Sequence, residues 1–532
     1  MKNHQLRTVF IFTVLFLLAA CLRYYGCFSF PYDGDEAFSM QRSQDYAQFF
    51  KTGDLSLVQY SQVNPLFIVN SLILPYFKTP EAAVRTLPLI AGISFFAIFP
   101  WLLGRPYGYT VALSSLAILA FNPTHIFFSQ YGRYFSLIFL LANLSLFTFL
   151  RSYETRSFKL FVVSLIFAIL AFLEHPGVAM IFPAEIAFLF FVLIANLPEE
   201  KRLYDGGDFY MVRVGITFAT ALVPVAIFSI YVLLKWKSIS GGASIGGVIS
   251  YFGGIFMRLG APLSVCSVIA SCYFVFRRDI VGIFLAFATF GPILAGGVIS
   301  MLGMDVNPYY VAYVIFPAIV LCCSFICKLF SLRTADQPAT ALPFYEIALC
   351  TATVSLFIVG SIAELTSHYI DGGRHDWPTA VRWLDKEHGK GGTIAVCQSP
   401  GFLVDYCRLS GIPYAIFPAD KPLDDIIEAM QSGRFVVMPY VWWATLADGD
   451  LDRLLQVPHR IILKAERDGL TPILPTRIRL ESYGTEFTNA GRDLKNLVMS
   501  KYELKNRIGK TRLDYGQNYL LIYGVRGEAS KD

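Results

Sequence analysis

The sequence predicts an α-helical polytopic membrane protein that carries a small soluble α/β domain at its C-terminal end. Three observations lead there. The chain of 532 residues is 55% hydrophobic and only 16% charged, where soluble domains carry about 25% charged residues. Its mean hydropathy is +0.52. The apolar residues are also unevenly spread: they gather in long runs up to residue 363, and residues 364–532 read as an ordinary soluble sequence.

A membrane span needs about 20 mainly apolar residues. About eleven such runs are centred near residues 18, 93, 116, 142, 168, 188, 224, 267, 291, 320 and 353. The first comes after Lys2 and Arg7. Its "LAAC" at Leu18–Cys21 also resembles a lipoprotein cleavage site, but apolar character persists through Phe28 and Phe30 and favours a retained helix. The next loop, 31–80, is too long for a plain connector. It contains "EAFSMQRSQDYAQFF" and "NPLFIVNSLILPYF", both expected to be helices lying at the membrane interface. Several of the later runs are separated by very short charged turns, which suits antiparallel hairpins. The predicted domains are therefore a membrane module, 1–363, with its outer first loop 31–80, and a soluble domain, 364–532. "DGGRHDW" at Asp371–Trp377 is the linker. "GGTIAVCQ", "RFVVMPYVWW" and "NYLLIYGV" read as strands, and "WPTAVRWLDKEH" as an amphipathic helix between them and the linker.

Lys and Arg in short loops set the orientation of a membrane bundle. With the N-terminus in the cytoplasm, Lys2, Arg7, Arg105, Arg151, Arg156, Lys159, Lys201, Arg202, Arg277, Arg278, Lys328 and Arg333 all fall on the inner side. The acidic first loop and the C-terminal domain then face outward from the plasma (inner) membrane. A net charge of +5 without a basic, aromatic-interleaved run excludes a nucleic-acid partner. Cys266, Cys272, Cys322, Cys323, Cys327 and Cys350 lie in apolar runs as small packing residues. Cys397 and Cys407 are the soluble pair, able to cross-link only in an oxidising compartment.

Four groups of residues carry candidate chemistry. Asp35 and Glu36, in "FPYDGDEAFSM" with Asp33, stand at the mouth of the first span. On a helix adjacent side chains diverge by about 100°, so one carboxylate faces a reaction centre while the other supports it. A carboxylate in partly apolar surroundings gains proton affinity and suits general-base work; the plain alternative is a solvated acidic helix start. Arg133, in "FNPTHIFFSQYGRYFSL", is either a bidentate phosphate grip or an interfacial anchor beside Tyr131 and Tyr134. Arg85 has the same two readings. His175, in "LEHPGV", is either a phosphate, metal or acid–base group or plain loop. All these groups fall on the outward side, and ionisable residues converging on one face of a bundle mark a functional site. Glu185 and Arg213 aside, the middle of the bundle is nearly devoid of charge, which suits a transporter poorly.

The order "DGDEAFSM", "NPLFIVNSLILPYF", "EAAVRTLPLI", "FFSQYGRYFSLIFLLANLSLFTFLR" and "LEHPGVAMI" resembles the polyprenyl-phosphate-sugar glycosyltransferases of the GT-C superfamily. These include protein O-mannosyltransferases, aminoarabinose transferases and RgtA-type lipopolysaccharide core transferases. The resemblance is close over residues 1–200 and a matter of layout beyond. It implies that Asp35 is the base on the acceptor, or a ligand of a divalent metal, and that Glu36 supports it. It implies that Arg85 and Arg133 lie near the lipid phosphate, with His175, Tyr134 and Asn64 binding substrate. Three departures stand out. Asn64-Pro65 replaces a His-Pro-Pro, Gln130-Tyr131-Gly132-Arg133-Tyr134 lacks the family's Glu, and Ala312-Tyr313 replaces an Arg-Tyr. Lys235, Lys237 and Arg258 are candidate replacements for that arginine.

The function implied is transfer of a sugar from a polyprenyl-phosphate donor to a lipid, glycan or protein acceptor at the outer face, inverting or retaining. The alternatives are a polysaccharide ligase or polymerase using a diphosphate-linked donor, a flippase or transporter of lipid-linked sugar, and an assembly scaffold. The orientation has its own test. Single cysteines placed at Ser56 and Ser482, in a background without native cysteines, should both react with an impermeant thiol reagent in intact cells or spheroplasts. Protection of both sites would reverse the orientation.

Overall fold

The computed structural model describes residues 2–28, 34–58, 64–77, 79–104, 106–195, 245–302, 306–331 and 351–362, with short pieces of the C-terminal region, chiefly strands. The run near residue 224, Asp33, Arg213, Lys235, Lys237, Cys407 and the linker Asp371–Trp377 lie outside the described residues. The chain divides into two compact units. One comprises Met1–Cys27, Asp45–Lys78 and Ala82–Leu365; the other comprises Phe28–Gln44, Thr79–Glu81 and Thr366–Asp532.

The protein is an α-helical polytopic membrane protein. Its described helices are α1 (Lys2–Tyr24), α2 (Gly34–Thr52), α3 (Pro65–Ile73), α4 (Pro80–Gly104), α5 (Tyr109–Ala120), α6 (Pro123–Ser129) and α7 (Phe135–Thr155). They continue with α8 (Phe158–Glu174), α9 (Ile181–Ala195), α10 (Ile245–Leu259), α11 (Ala261–Arg277), α12 (Ile280–Met301), α13 (Ile315–Ser331) and α14 (Thr351–Ile362). Among the described residues four helices are long and apolar enough to cross a membrane alone, and the bent pair α5 and α6 makes a fifth. The expected runs near 18, 168, 188, 267 and 353 are helical but shorter than 18 residues each over their apolar part or unbroken length. Exposed apolar side chains such as Ile90, Trp101, Phe190, Val268 and Phe276 lie on the outside of these helices, as suits a lipid-facing surface. The helix α10 was not expected from sequence. Its apolar residues are interrupted by Gly246, Gly247, Gly253 and Gly254, and it buries Tyr251 and Ile255 while exposing Ile249 and Phe256.

One device recurs at the starts of helical segments. Asn64, Asn122 and Asn307 each precede a proline that occupies the first helical position. Proline there forfeits an N–H that has no helical partner anyway. The Asn side chain takes up another: Leu66 N–H donates to Asn64 Oδ1 at 2.9 Å, His125 N–H to Asn122 Oδ1 at 3.0 Å, and Tyr309 N–H to Asn307 Oδ1 at 3.0 Å. Such caps contribute about 1 kcal/mol each. By the up-and-down course of the bundle, all three stand at the same end.

The axis bends by 68° between α5 and α6. A bend takes carbonyls out of the regular helical ladder, and that of Leu119 accepts the Asn122 N–H at 3.1 Å. Arg23 of α1, fully buried, donates to it and to its neighbour. Its Nη2 donates to the carbonyl of Leu119 at 3.1 Å and its Nη1 to that of Ala120 at 3.2 Å. Its Nε and Nη2 also reach His125 Nδ1 at 3.1 and 2.7 Å. A guanidinium only donates, so Nδ1 is the acceptor and the ring proton sits on Nε2. Gln130 closes the far side, its Nε2 donating to the carbonyls of Arg23 at 3.0 Å and Tyr25 at 2.8 Å.

In the other unit the described strands are β1 (Ile394–Cys397), β2 (Tyr414–Phe417), β3 (Val436–Pro439), β4 (Arg460–Ala465), β5 (Ile478–Arg479) and β6 (Leu520–Gly524). They form one sheet in the order β2-β1-β3-β6-β4-β5. β1 runs parallel to β2 and β3, which requires long crossovers, while β6 is antiparallel to β3 and β4. β1, β3 and β6 are the strands legible in sequence; β2, β4 and β5 were not.

Replacing Arg23 by Met removes several buried hydrogen bonds while keeping apolar volume. The expected loss is roughly 3 kcal/mol of stability, with Arg23→Lys recovering part of it. Thermal unfolding in detergent checks this, and an unchanged midpoint for Arg23→Met would mean that the bend holds without its cap.

Candidate functional site

The Gln130–Tyr134 segment leaves α6 and enters α7 as a tight non-helical turn, with Arg133 N–H donating to the Tyr131 carbonyl at 2.7 Å. The hydrogen bonds of Arg23 and Gln130 hold its start, and the Tyr134 carbonyl accepts from Ile138 N–H at 2.9 Å at its end. The turn presents Arg133 half-buried, its guanidinium 4.9 Å from the centre of the Tyr134 ring.

From there a stack of rings crosses to other helices. Tyr134 lies 5.3 Å from His175, which comes directly after α8, and His175 lies 3.7 Å from Tyr310 at a mutual tilt of 18°. Tyr310 belongs to the 3-10 segment Pro308–Val314 before α13. Phe135 packs on both Tyr309 and Tyr310, at 5.5 and 6.2 Å. Beyond them Arg258 of α10 sits 3.9 Å over the Tyr309 ring, with its Nη1 donating to the Gly254 carbonyl at 2.8 Å. The structure thus brings together Arg133, Tyr134, His175 and Arg258 through two tyrosines that the sequence did not single out. Their signal was the Asn-Pro pair before them, repeated at Asn64-Pro65 and Asn122-Pro123.

His175 is fixed from below. Its Nδ1 accepts the Gly177 N–H at 3.0 Å, capping the 3-10 segment Pro176–Met180. A Cβ at Gly177 would stand 3.0 Å from that Nδ1 and 3.0 Å from Tyr310 Cβ, so the position suits glycine. Desolvation within the stack lowers the imidazole pKa to about 3, and the nearby charge of Arg133 acts in the same direction. His175 is therefore held neutral near pH 7, with Nδ1 as an acceptor and the ring as a stacking surface. Asn64 joins the same corner, its Nδ2 donating to the Glu174 carbonyl at 2.6 Å while its Oδ1 caps α3. Glu174 itself is buried.

Arg85 lies elsewhere. It is fully buried in α4, and its Nη1 donates to the Cys27 carbonyl at 2.8 Å. The expectation of an interfacial anchor at that position does not match a side chain without exposure. Ala312-Tyr313 stands in the same 3-10 segment as Tyr309 and Tyr310, with Tyr313 buried.

Asp35 and Glu36 belong to the other compact unit and form the first turn of α2. They diverge as adjacent helical residues must: Asp35 is exposed, while Glu36 has no exposure. Carboxylates in a first helical turn are favoured by the helix dipole. Ser39 Oγ donates to the Asp35 carbonyl at 3.2 Å and Ser43 Oγ to the Ser39 carbonyl at 2.7 Å, lining one face of α2 with small polar groups. Among the described residues no three His, Cys, Asp or Glu side chains converge as a metal-binding group. The described donors thus do not make up a metal site around Asp35.

No protein-family profile and no curated protein matches the chain. Among solved structures it is similar to ArnT from Cupriavidus metallidurans in the apo state, at 12% identity and a TM-score of 0.48, over 83% of this chain and 94% of that one. It is also similar to the Archaeoglobus fulgidus oligosaccharyltransferase in complex with zinc and sulfate, at 13% identity and 0.48, over 97% and 88%. ArnT from Cupriavidus metallidurans bound to undecaprenyl phosphate is similar at 12% and 0.44, over 84% and 96%. Likeness at this level assigns neither an activity nor site residues to this chain.

The depressed pKa of His175 has a consequence with a definite sign. The folded protein keeps the ring neutral down to about pH 3, whereas an unfolded histidine takes a proton near pH 6.5. The unfolded state then binds more protons, so this stability contribution is complete above about pH 6.5 and is lost as pH falls. The melting temperature should fall more between pH 7 and pH 5 for the parent than for His175→Phe. Equal falls would place a protonated His175 in the folded stack.

Proposed function

We propose that the protein is a membrane glycosyltransferase of the GT-C type. It moves a sugar from a polyprenyl-phosphate donor to a hydroxyl-bearing lipid, glycan or protein acceptor on the extracytoplasmic side. The reading rests on one observation above the others: a helix start that exposes Asp35 while burying Glu36, within the motif "DGDEAFSM". An exposed carboxylate can come within hydrogen-bond reach of a substrate hydroxyl, the first requirement of a general base, while its buried neighbour is held as part of the scaffold.

Asp35 takes the proton of the acceptor hydroxyl as that oxygen attacks the anomeric carbon. The bond from that carbon to the phosphate oxygen breaks, and the lipid phosphate leaves with its electron pair. Arg133 steadies the negative charge that grows on the phosphate, an electrostatic contribution realised mainly in the transition state. Tyr134, His175 and Tyr310 support Arg133 by stacking, and Asn64 ties the His175 corner to α3. Arg258 is the second cation of this cluster and stands in for the arginine that Ala312-Tyr313 lacks. Arg85 anchors the turn after α1 to α4 through the Cys27 carbonyl. The resemblance of the sequence motifs to the GT-C glycosyltransferases supports the same assignment, and the hydrophobic bundle supports a donor carried in the membrane.

Asp35→Asn preserves size and hydrogen-bond acceptance but removes the base. Product formation from a defined polyprenyl-phosphate sugar, read by mass spectrometry at saturating donor and acceptor, should fall by roughly 10²–10⁴-fold. Its melting temperature should stay within experimental error of the parent, because Asp35 is exposed. Glu36→Gln should lose less turnover and more stability. Near-parental turnover in Asp35→Asn would sink the assignment. A flippase would be recognised by movement of labelled lipid without consumption of sugar.

A further inference from the structure

At the end of the bundle away from His175, the start of α5, the start of α12 and the end of α13 enclose a cavity of about 290 Å³. Tyr107, Thr110, Asp279, Ser324, Cys327 and Lys328 are among its lining residues. Two of its hydroxyls, Tyr107 Oη and Ser324 Oγ, are buried and have no hydrogen-bond partner among the described residues. Ser324 is 5% exposed. A buried hydroxyl without a partner costs about 1–3 kcal/mol, so two on residues that line one cavity favour a ligand with acceptor oxygens there.

The charge around the cavity says which acceptor. α5 opens at Gly108, a residue with no side chain to cap the first amides, and Gly108, Thr110 and Val111 line the cavity. Uncapped amides at a helix start, together with the helix dipole, favour an anion. α12 also starts there, but Asp279 Oδ1 already caps it by accepting the Gly282 N–H at 3.0 Å. The other oxygen of Asp279 pairs with Lys328, which holds the ammonium at the mouth, its side chain 49% exposed. Arg277 and Arg278, both exposed, immediately precede Asp279. With Glu154, whose charge also acts on Tyr107 and which pairs with Arg151, this end holds four cations against two carboxylates and stays positive. Large apolar side chains flank it: Tyr109, Phe276 and Leu329 are neighbours in sequence of the lining and basic residues and are exposed. A ligand arriving there meets basic groups at the cavity and an apolar surface outside it.

We propose that this cavity binds the phosphate group of a glycerophospholipid from the leaflet at that end of the bundle. Lys328 and the α5 amides hold the phosphate, Ser324 and Tyr107 donate to its oxygens, and the acyl chains lie along the exposed apolar surface. Asp279 competes with the phosphate for Lys328. The site is separate from the glycosyl-transfer chemistry of Asp35 and Arg133 and does not depend on it.

The test is native mass spectrometry of the full chain in detergent, titrated with phosphatidylglycerol and, separately, with diacylglycerol of the same acyl chains. Phosphatidylglycerol should bind at one site at least tenfold more tightly than diacylglycerol. Lys328→Gln should weaken it roughly tenfold, the loss of about one charge-assisted contact. Asp279→Asn keeps a side-chain oxygen for the α12 cap and removes the competing charge, so it should tighten binding severalfold. This opposite sign distinguishes a phosphate site from general damage. Equal binding of the two lipids, or unchanged binding in both variants, would overturn the proposal. Inorganic phosphate that occupies the site at millimolar concentration, while phosphatidylglycerol fails to displace it, would overturn the lipid as the source of the phosphate.

Discussion

A helix that turns inside a membrane must find partners for the backbone groups it exposes, and at the 68° bend between α5 and α6 the partner is Arg23. Its guanidinium serves the Leu119 and Ala120 carbonyls and the His125 ring together, from a position with no exposure. The Leu119 carbonyl also accepts the Asn122 N–H, so the guanidinium adds a second bond there and serves the Ala120 carbonyl beside it. The bend in turn lets α6 end in the Gln130–Tyr134 turn. Gln130 ties that turn back to the carbonyls of Arg23 and Tyr25, so the first helix of the chain and the Arg133 segment are joined by hydrogen bonds. The position of Arg133 thus depends on an arginine that never reaches solvent.

Two pairs of arginines illustrate how burial sorts equal charges into unequal roles. Arg23 and Arg85 are fully buried and each donates to a backbone carbonyl. Arg133 and Arg258 lie over tyrosine rings at 4.9 and 3.9 Å and keep partial exposure. A guanidinium stacked on an aromatic face keeps its edge for hydrogen bonding. It is well suited to a phosphate, whose oxygens approach in the plane of the guanidinium. His175, neutral and stacked between Tyr134 and Tyr310, gives this corner rigidity without adding a charge that would change with pH.

Among the described residues the bundle carries charge at its ends and little between them. One end holds the stacked arginines; the other holds the Lys328–Asp279 pair and the cavity under it. Buried Glu185, with Ser145 Oγ 3.4 Å from its Oε1, is the main exception in the middle. The arrangement reflects the solvent: charge at a membrane interface is hydrated, and charge in the centre needs a partner.

Sequence alone determined the class of protein, because a bilayer demands apolar runs of fixed length and their composition is plain to read. It also picked out Asp35, Glu36, Arg133 and His175, because an ionisable residue beside an apolar run is conspicuous. Helices at residues 34–52 and 65–73 were legible from the same pattern. The strands β1, β3 and β6 were apolar enough to recognise, whereas β4, with Arg460 and Lys464 among its apolar residues, was not. Only the tertiary structure decided which cation serves which end. Arg85 and Arg133 have the same look in sequence, and packing buried one on a carbonyl and stacked the other on a ring. Tyr310 meets His175 across a long stretch of chain, and Arg23 meets His125 across another. No local pattern encodes such meetings, since they arise when helices far apart in sequence pack side by side and their polar groups must then find each other.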